Sequence, residues 1–408
     1  MASRRGHLIL LPFMAQGHII PFMALARVLE QRTDHAITFV NTPLNVHAAR
    51  AAFPSTTRTR FAELPFNSSD HGLPPNSENA DALSYSLILN LLEASTTLRP
   101  AFENLVSDIF AADGSAPLSI ISDFFFGWTV DVAKSFGIFH SVFLPSNAYG
   151  YGIYLSLWLH LPHTNTSSDE FSVPDFQQPI TIHRSQLSNH LNAADGTDRW
   201  SLFLQPQLLS CLRSDAFLLN TVRELDEVGL GYFEEKMGNR KVWAIGPVAA
   251  VLKTPIHSSK VPAIKAEACN EWLSQHRQSS VLYISFGSMN TISASQMMEL
   301  AIGLEESGKP FIWFYNSKML QEIMGVSVEI ARTNRSEIDR GHVAAVIETV
   351  MGDTEKGVDM RRSVGRVKEI LEAAVREEEG FRGSSLEAVD RFVDAALSTR
   401  TTVDCNGK

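Results

Sequence analysis

Cysteine is scarce in this sequence. Of 408 residues only Cys211, Cys269 and Cys405 carry a thiol, odd in number and widely spaced. That excludes a disulfide scaffold and any paired-cysteine metal site, and it points to a reducing, cytoplasmic compartment. Long apolar runs are missing too: no stretch approaches the ~20 apolar residues that span a bilayer. The apolar segment behind Arg4 and Arg5 is broken by Gln16, Gly17 and His18, with no small-residue cleavage site after it, so neither a membrane span nor a signal peptide is expected. Positive charge is in deficit, 35 Lys and Arg against 45 Asp and Glu for a net charge of −10, which argues against nucleic acid or an anionic membrane as partner. No His, Cys and carboxylate spacing suits a metal, so none is expected. The G-x-G-x-x-G fingerprint is also absent from the first strand-to-helix turn, where only Gly17 stands; this sets aside a nicotinamide-dependent oxidoreductase.

What is present suffices for large cores. The length allows two or three domains at ~150 residues each, and 44% of the residues are hydrophobic. The chain is organised around His7 to Ala26, HLILLPFMAQGHIIPFMALA. This stretch predicts a buried strand, a tight turn over Met14 to Gly17, and a helix from Ile19 with Phe22, Leu25, Ala26 and Leu29 on one face. His18 then stands at the carboxyl end of a parallel strand, where open α/β sheets bind their ligands. A histidine there can take a proton from a substrate hydroxyl; a turn or helix-capping histidine is the competing reading.

Strand and helix alternate onward. Strands are expected at Ala36 to Thr42, Arg60 to Phe66, Leu118 to Asp123, Ser141 to Pro145, Ala216 to Thr221 and Lys241 to Val248, and helices at Pro43 to Ala52, Ala82 to Phe110 with a break at Pro100, Trp128 to Phe136, after Pro145 with the aromatics Tyr149, Tyr151, Tyr154 and Trp158, and Trp200 to Ser214. The first half therefore reads as a doubly wound parallel sheet. Leu161 to Gln178, rich in Ser, Thr, Asp and Pro, reads as a surface loop. Asp123 ends its strand as His18 follows its own, so the two can share one crevice, the carboxylate orienting the imidazole; an N-cap for the following helix is the alternative. Residues 1–248 are assigned to the first domain, 249–266 to a linker without periodicity, 267–383 to a second domain and 384–408 to a final helix and tail. The second domain opens with a helix over Cys269 to His276. Within it Val281 to Ser288, VLYISFGS, ends in Gly287 and Ser288 ahead of a helix from about Ser293, a weak but recognisable phosphate-binding arrangement. Pro310 to Phe314 is a further buried strand, Val326 to Ile330 another, with helices within His342 to Glu379 and over Ser385 to Leu397.

Taken together, the Gly17-His18 turn, ISD at Ile121 to Asp123, NT…EL at Asn220 to Leu225, IGP at Ile245 to Pro247, C..WL at Cys269 to Leu273 and SFGS at Ser285 to Ser288 resemble the plant UDP-dependent glycosyltransferases of secondary metabolism. The resemblance runs in order along nearly the whole chain. It implies an α/β fold of two facing Rossmann-like doubly wound domains, the GT-B type, with the acceptor in the first and the UDP-sugar in the second. It implies inverting transfer, with His18 as base and Asp123 as its support. Gly287 and Ser288 would face the diphosphate, with Gly17 and Ser146 also on the donor side. Phe124, Phe125 and Tyr149, with the loop Asn67 to Asn79, would line the acceptor pocket; that these aromatics are plain core is the alternative. The partners implied are a small-molecule acceptor and a UDP-sugar, with glucose the family default, and the resemblance implies no cofactor beyond that co-substrate, no metal and a monomer.

One departure is large. In the family, the strand resembling Pro310 to Phe314 is followed by more strand and helix units and by the donor-site signature: a uracil-stacking Trp, a His-Cys-Gly-Trp-Asn-Ser segment and a closing acidic-Gln pair. Here Phe314 runs directly into Tyr315-Asn316-Ser317-Lys318-Met319-Leu320, which resembles the sequence just beyond that pair. The second domain is thus expected to be incomplete, with apolar faces left exposed. A non-catalytic relative that binds only a hydrophobic acceptor is the alternative this loss opens.

Overall fold

The computed structural model describes residues 6–252, 266–278, 280–286, 294–315 and 339–406. The expected phosphate turn at Gly287 and Ser288, the strand at Val326 to Ile330 and most of the 249–266 linker lie outside the described residues. The chain divides into two compact units: residues 1–182, 189–259 and 372–408 form the first, residues 183–188 and 260–371 the second.

In the first unit the strands are β1 (His7–Leu11), β2 (Ala36–Asn41), β3 (Arg60–Glu63), β4 (Ser119–Ser122), β5 (Phe139–Leu144), β8 (Ala216–Leu219) and β9 (Lys241–Ala244), with β6 (Glu170–Ser172) and β7 (Thr181–His183) pairing apart as a short ribbon and the two-residue strands Glu377–Glu378 and Phe381–Arg382 as another. The main sheet runs β3-β2-β1-β4-β5-β8-β9, every neighbouring pair parallel. The helices are α1 (Gln16–Arg32), α2 (Pro43–Ala52), α3 (Ile88–Ser95), α4 (Arg99–Asp113), α5 (Thr129–Ser135), α6 (Ala148–His160), α7 (Asn189–Asn192), α8 (Arg199–Cys211) and α9 (Glu227–Met237). β1 is buried along its whole length, as a central parallel strand covered on both faces must be. Leu8 and Leu10 on one of those faces pack with Phe22, Leu25 and Leu29 of α1, the helical stripe expected from the spacing.

The chain winds outward from β1 to β3 and then resumes on the other side of β1 with β4, so the winding reverses between β1 and β4. In open α/β sheets that reversal opens a crevice at the strands' carboxyl ends. The final helix, Ser384–Asn406, also belongs to this unit: Val389, Phe392, Val393 and Ala396 join the same core, and Phe392 meets Trp243 of β9 with ring centres 5.9 Å apart.

In the second unit the strands Leu282–Phe286 and Phe311–Tyr315 pair in parallel, Leu282 opposite Phe311. Leu300, Leu304, Val343 and Ile347, from the helices Ala294–Glu306 and Arg340–Met351, pack on Leu282, Ile284 and Phe311. Gly303 permits that approach, because a Cβ there would stand 2.6 Å from the Cβ of Val343. The helix Ala266–Ser274 lies in this unit too, and the helix Glu355–Ala374 starts in it and ends in the first. No helix among the described residues is long and apolar enough to cross a membrane.

Several sequence expectations need adjustment. The long helix over Ala82 to Phe110 is two helices, with Pro100 in the first turn of α4, where its missing N–H removes no helix bond. The Leu161 to Gln178 loop contains a 3-10 turn at Pro162–Asn165 and the strand β6. α9 was not foreseen, since Gly229 and Gly231 dilute the helical signal of EVGLGYFEEKM.

Candidate functional site

The site grows from the turn after β1. Asn41, at the end of β2, donates from its side-chain amide to the Pro12 carbonyl at 2.8 Å and holds that turn. Ala15 occupies the N-cap position of α1 without a side-chain cap, and the backbone N–H groups of His18 and Ile19 both donate to the Ala15 carbonyl. His18 is therefore not the helix cap; it projects from the first turn of α1.

Asp123 follows β4 directly. Its N–H donates to the Leu11 carbonyl at 3.0 Å, extending the β1–β4 ladder by one step and bringing the two strand ends side by side. The capping alternative for Asp123 does not hold for α5, which starts at Thr129 with Trp128 at its N-cap. Instead His18 Nδ1 and Asp123 Oδ2 lie 2.6 Å apart, the carboxylate fully buried and the histidine side chain 17% exposed. The other carboxylate oxygen accepts the N–H of Phe125 at 3.2 Å, which fixes the plane of the carboxyl group. A carboxylate can only accept, so Nδ1 carries the shared proton and Nε2 is left as the basic nitrogen. The arrangement can accept one proton at Nε2, and the imidazolium so formed would be stabilised by the adjacent Asp123 carboxylate.

Aromatic rings surround this pair. His18 lies 5.6 Å from Phe13, 6.2 Å from Phe124 and 5.6 Å from Phe125, centre to centre. Phe124 in turn meets Tyr151 at 5.0 Å and Tyr154 at 6.0 Å. Behind Phe124 an apolar seam lined by Tyr151, Tyr154, Leu208, Cys211 and Phe217 encloses only about 10 Å³, barely the space one water needs. It is a wall rather than a hole. Burial, followed by the charge of Asp123, pushes the Tyr151 phenol and the Cys211 thiol well above their ordinary ranges, so both stay neutral. The Cys211 thiol donates to the Phe124 carbonyl at 3.2 Å and is a packing group, not a nucleophile.

The remaining predicted residues fall as follows. Gly17 is exposed in the first turn of α1, and nothing stands within 4 Å of the position a Cβ would take. Ser146 is exposed just past the end of β5, adjacent to β4 in the sheet, and its hydroxyl receives the Asn147 side-chain amide at 3.3 Å. Tyr149 sits one turn early on α6, its ring edge-on to Phe176 at 6.2 Å. Gly287 and Ser288 lie outside the described residues. The loop Asn67 to Asn79 is tied down over the strand ends by Glu78, whose carboxylate receives the Leu44 N–H at 2.8 Å, and by the Ala80 N–H, which donates to the Met14 carbonyl at 2.9 Å. Sequence reasoning missed Phe13 and, although it set the aromatic helix near Tyr149 at the acceptor, singled out Tyr149 rather than Tyr151 and Tyr154. The spacing held a usable signal: Tyr151, Tyr154 and Leu155 recur on one helix face, whereas Tyr149 does not. Among the described residues no group of three or more His, Cys, Asp and Glu side chains could hold a metal ion.

No protein-family model matches the chain, but individual proteins do. UDP-glycosyltransferase 92A1 of Arabidopsis thaliana is 34% identical over 484 aligned positions, covering 97% of this chain and 98% of that protein. Because those positions outnumber the 408 residues of this chain, the relative carries residues that this chain lacks. Crocetin glucosyltransferase 3 of Crocus sativus is 41% identical over 307 positions, 74% of this chain and 64% of its own length. Among solved structures, Glycyrrhiza uralensis UGT73P12 complexed with glycyrrhetinic acid 3-O-monoglucuronide superposes with a TM-score of 0.81 at 19% identity, covering 99% of this chain and 98% of that one. Phytolacca americana UGT2 complexed with UDP-2fluoro-glucose and pterostilbene gives a TM-score of 0.74 at 18% identity, covering 96% and 99%. At those identities the structures establish the shared α/β GT-B fold.

Proposed function

The chain belongs to the plant UDP-glycosyltransferases, and from that premise we propose that it acts as a monomer in the cytoplasm and moves glucose from UDP-glucose to a hydroxyl of a small hydrophobic metabolite, a phenolic, flavonoid or terpenoid. The observation that carries this reading is the 2.6 Å contact of His18 Nδ1 with the buried Asp123 carboxylate, set in aromatic surroundings suited to a planar aglycone. In this mechanism the acceptor hydroxyl gives its proton to His18 Nε2 while its oxygen forms a bond to the anomeric carbon. The bond from that carbon to the diphosphate oxygen breaks on the opposite face, its electron pair leaves with UDP, and the configuration inverts. Asp123 holds the ring and stabilises the imidazolium. Phe124 and Phe125 bear on the acceptor, with Tyr149 on the helix behind them; Gly17, Ser146, Gly287 and Ser288 are proposed to face the donor. The charge developing on the departing diphosphate is proposed to fall to the residues facing the donor, with no metal assigned a role.

The residues that the Arabidopsis relative carries and this chain lacks favour a second reading, in which the first unit binds a hydrophobic acceptor and transfers nothing. Calorimetric titration of the purified chain with UDP and UDP-glucose separates the two. The transferase reading expects dissociation constants in the micromolar to millimolar range usual for enzyme substrates. A folded chain that binds neither nucleotide would overturn it and leave the binding reading.

A further inference from the structure

The NT…EL segment at Asn220 to Leu225 plays no part in the mechanism above, yet it and the residue after it hold the start of α6 from outside that helix. Asn220 continues β8: its N–H donates to the Leu144 carbonyl at 3.0 Å, and its side-chain amide donates to the Pro145 carbonyl at 3.1 Å. Its side-chain oxygen accepts the Val248 N–H at 2.9 Å. The loop that carries Ser146 is thereby tied to two neighbouring strand ends.

Asp226 does the same for the helix. It is 2% exposed; Oδ2 accepts the Ala148 N–H at 2.5 Å and Oδ1 the Tyr149 N–H at 3.1 Å. The neighbouring Gly150 N–H is taken by Asn147 at 2.7 Å. These are orphan donors of the first helical turn, and a carboxylate there is favoured by the helix dipole as well. A second, separate feature makes the reach possible. A Cβ at Gly229 would stand 2.1 Å from the Tyr149 nitrogen and 2.6 Å from Asp226 Oδ1, so only glycine lets the first turn of α9 come this close. Burial raises the Asp226 carboxyl above its ordinary range, and hydrogen bonds from Thr221, Ala148 and Tyr149 oppose that shift. The cost of burying this group is thus met in part by the bonds it makes to α6.

α6 carries Tyr151 and Tyr154, the two rings that back Phe124. We infer that Asp226, admitted by Gly229, is a positioning residue for the acceptor: it sets the register of α6 and hence where the Tyr151–Tyr154 wall presents an aglycone to His18. This rests on the transferase reading for its kinetic form, but the wall itself can be tested without turnover.

The test compares wild type, Asp226→Ala and Asp226→Asn in acceptor KM, donor KM and kcat. It adds the dissociation constant of a flavonol aglycone, read by quenching of tryptophan fluorescence. Asp226→Ala is expected to raise acceptor KM and flavonol Kd about tenfold or more, since small displacements of positioning groups have large effects, with donor KM unchanged. Asp226→Asn, which keeps one accepting oxygen, should recover part of the loss. Unchanged acceptor KM and flavonol Kd in both variants would overturn the inference. So would a uniform fall in all constants that tracks thermal stability, or a folded wild-type chain that does not bind the flavonol. A wild-type chain that binds the flavonol without turnover sinks only the transferase reading, and the Kd comparison still decides the role of Asp226.

Discussion

Tyr283, the second residue of the strand Leu282–Phe286, is 70% exposed, whereas every residue of β1 is buried. Both are strands of a parallel pair, and parallel strands are stable when both faces are covered. In the first unit β1 lies between β2 and β4 with α1 and the final helix on one face. In the second unit Leu282 and Ile284 pack with Leu300, Leu304 and Val343, while Tyr283 between them is exposed. Met298, on the helix Ala294–Glu306, is 59% exposed as well. The difference separates what each unit can do by itself. The first carries the His18–Asp123 pair and an aromatic wall on a deep core; among the described residues of the second, the buried cluster is small.

The largest effect expected from breaking this division is on chemistry. If the proton transfer sits wholly in the first unit, His18→Ala should lower kcat by about 10³-fold or more, while UDP affinity measured by calorimetry stays as in wild type. Asp123→Asn should lower kcat by about 10²-fold, because the base survives but loses its orientation. A parallel loss of UDP affinity in His18→Ala would show that the two functions are not divided this way.

Stability gives the next contrast. Leu10 and Leu304 are each almost completely buried, but among the described residues in clusters of very different extent. Leu10→Ala should cost about 3–5 kcal/mol, and Leu304→Ala about 2–3 kcal/mol because a thin core collapses more readily around a missing side chain. Urea unfolding followed by amide hydrogen exchange should show the second unit's strands losing protection first, with Leu304→Ala advancing only that step. A single transition shifted equally by both variants would mean that the two units unfold as one.

Acid sharpens the same contrast. His140 of β5 is buried, its Nε2 facing the hydroxyls of Thr129 at 2.9 Å and Ser122 at 3.2 Å and its Nδ1 that of Ser214 at 2.9 Å. Burial, helped by the charge of Lys134, takes its pKa from 6.5 down to about 3. The unfolded chain therefore binds the proton more readily, and the stability due to the neutral ring is complete above pH 6.5 and is lost progressively as pH falls from 6.5 toward about 3. His140→Gln should be less stable than wild type at neutral pH, and the gap should close as the pH is lowered through that window. A gap that does not change with pH would mean that His140 does not stay neutral in the folded chain.

The pairing of His18 with Asp123 was legible because both residues stand at the carboxyl ends of apolar runs, and a parallel sheet brings such ends together whatever their separation in sequence. The choice among Tyr149, Tyr151 and Tyr154 was legible only in part: spacing puts Tyr151, Tyr154 and Leu155 on one face of α6, but a helix that is apolar nearly all round does not say that this face meets Phe124. VLYISF reads as a strand buried on both faces, and whether Tyr283 is covered depends on neighbours that the strand's own residues do not encode. Asp226 was invisible for the same reason: its partners, Ala148 and Tyr149, are backbone groups far away along the chain.

The smallest effect concerns how the end of the chain is held. Arg32, in the last turn of α1, donates from Nε to Asp390 Oδ1 at 2.9 Å and from Nη2 to Oδ2 at 2.8 Å, a two-point geometry stronger than a single surface contact. Hydrogen bonding to Asp390, and less so to Glu377, keeps the guanidinium charged. Arg382 shares the same carboxylate, donating to Asp390 Oδ2 at 2.7 Å, so removing Arg32 leaves Asp390 partly paired. The final helix is held mainly by Val389, Phe392 and Val393 in the core. Arg32→Ala is therefore expected to cost only about 1 kcal/mol, whereas Phe392→Ala should cost about 3–5 kcal/mol. Thermal melts of the two variants at low and high salt check the ranking: the Arg32→Ala loss should shrink in salt and the Phe392→Ala loss should not. If Arg32→Ala proved the more damaging, charge rather than burial would dock the final helix onto the first unit.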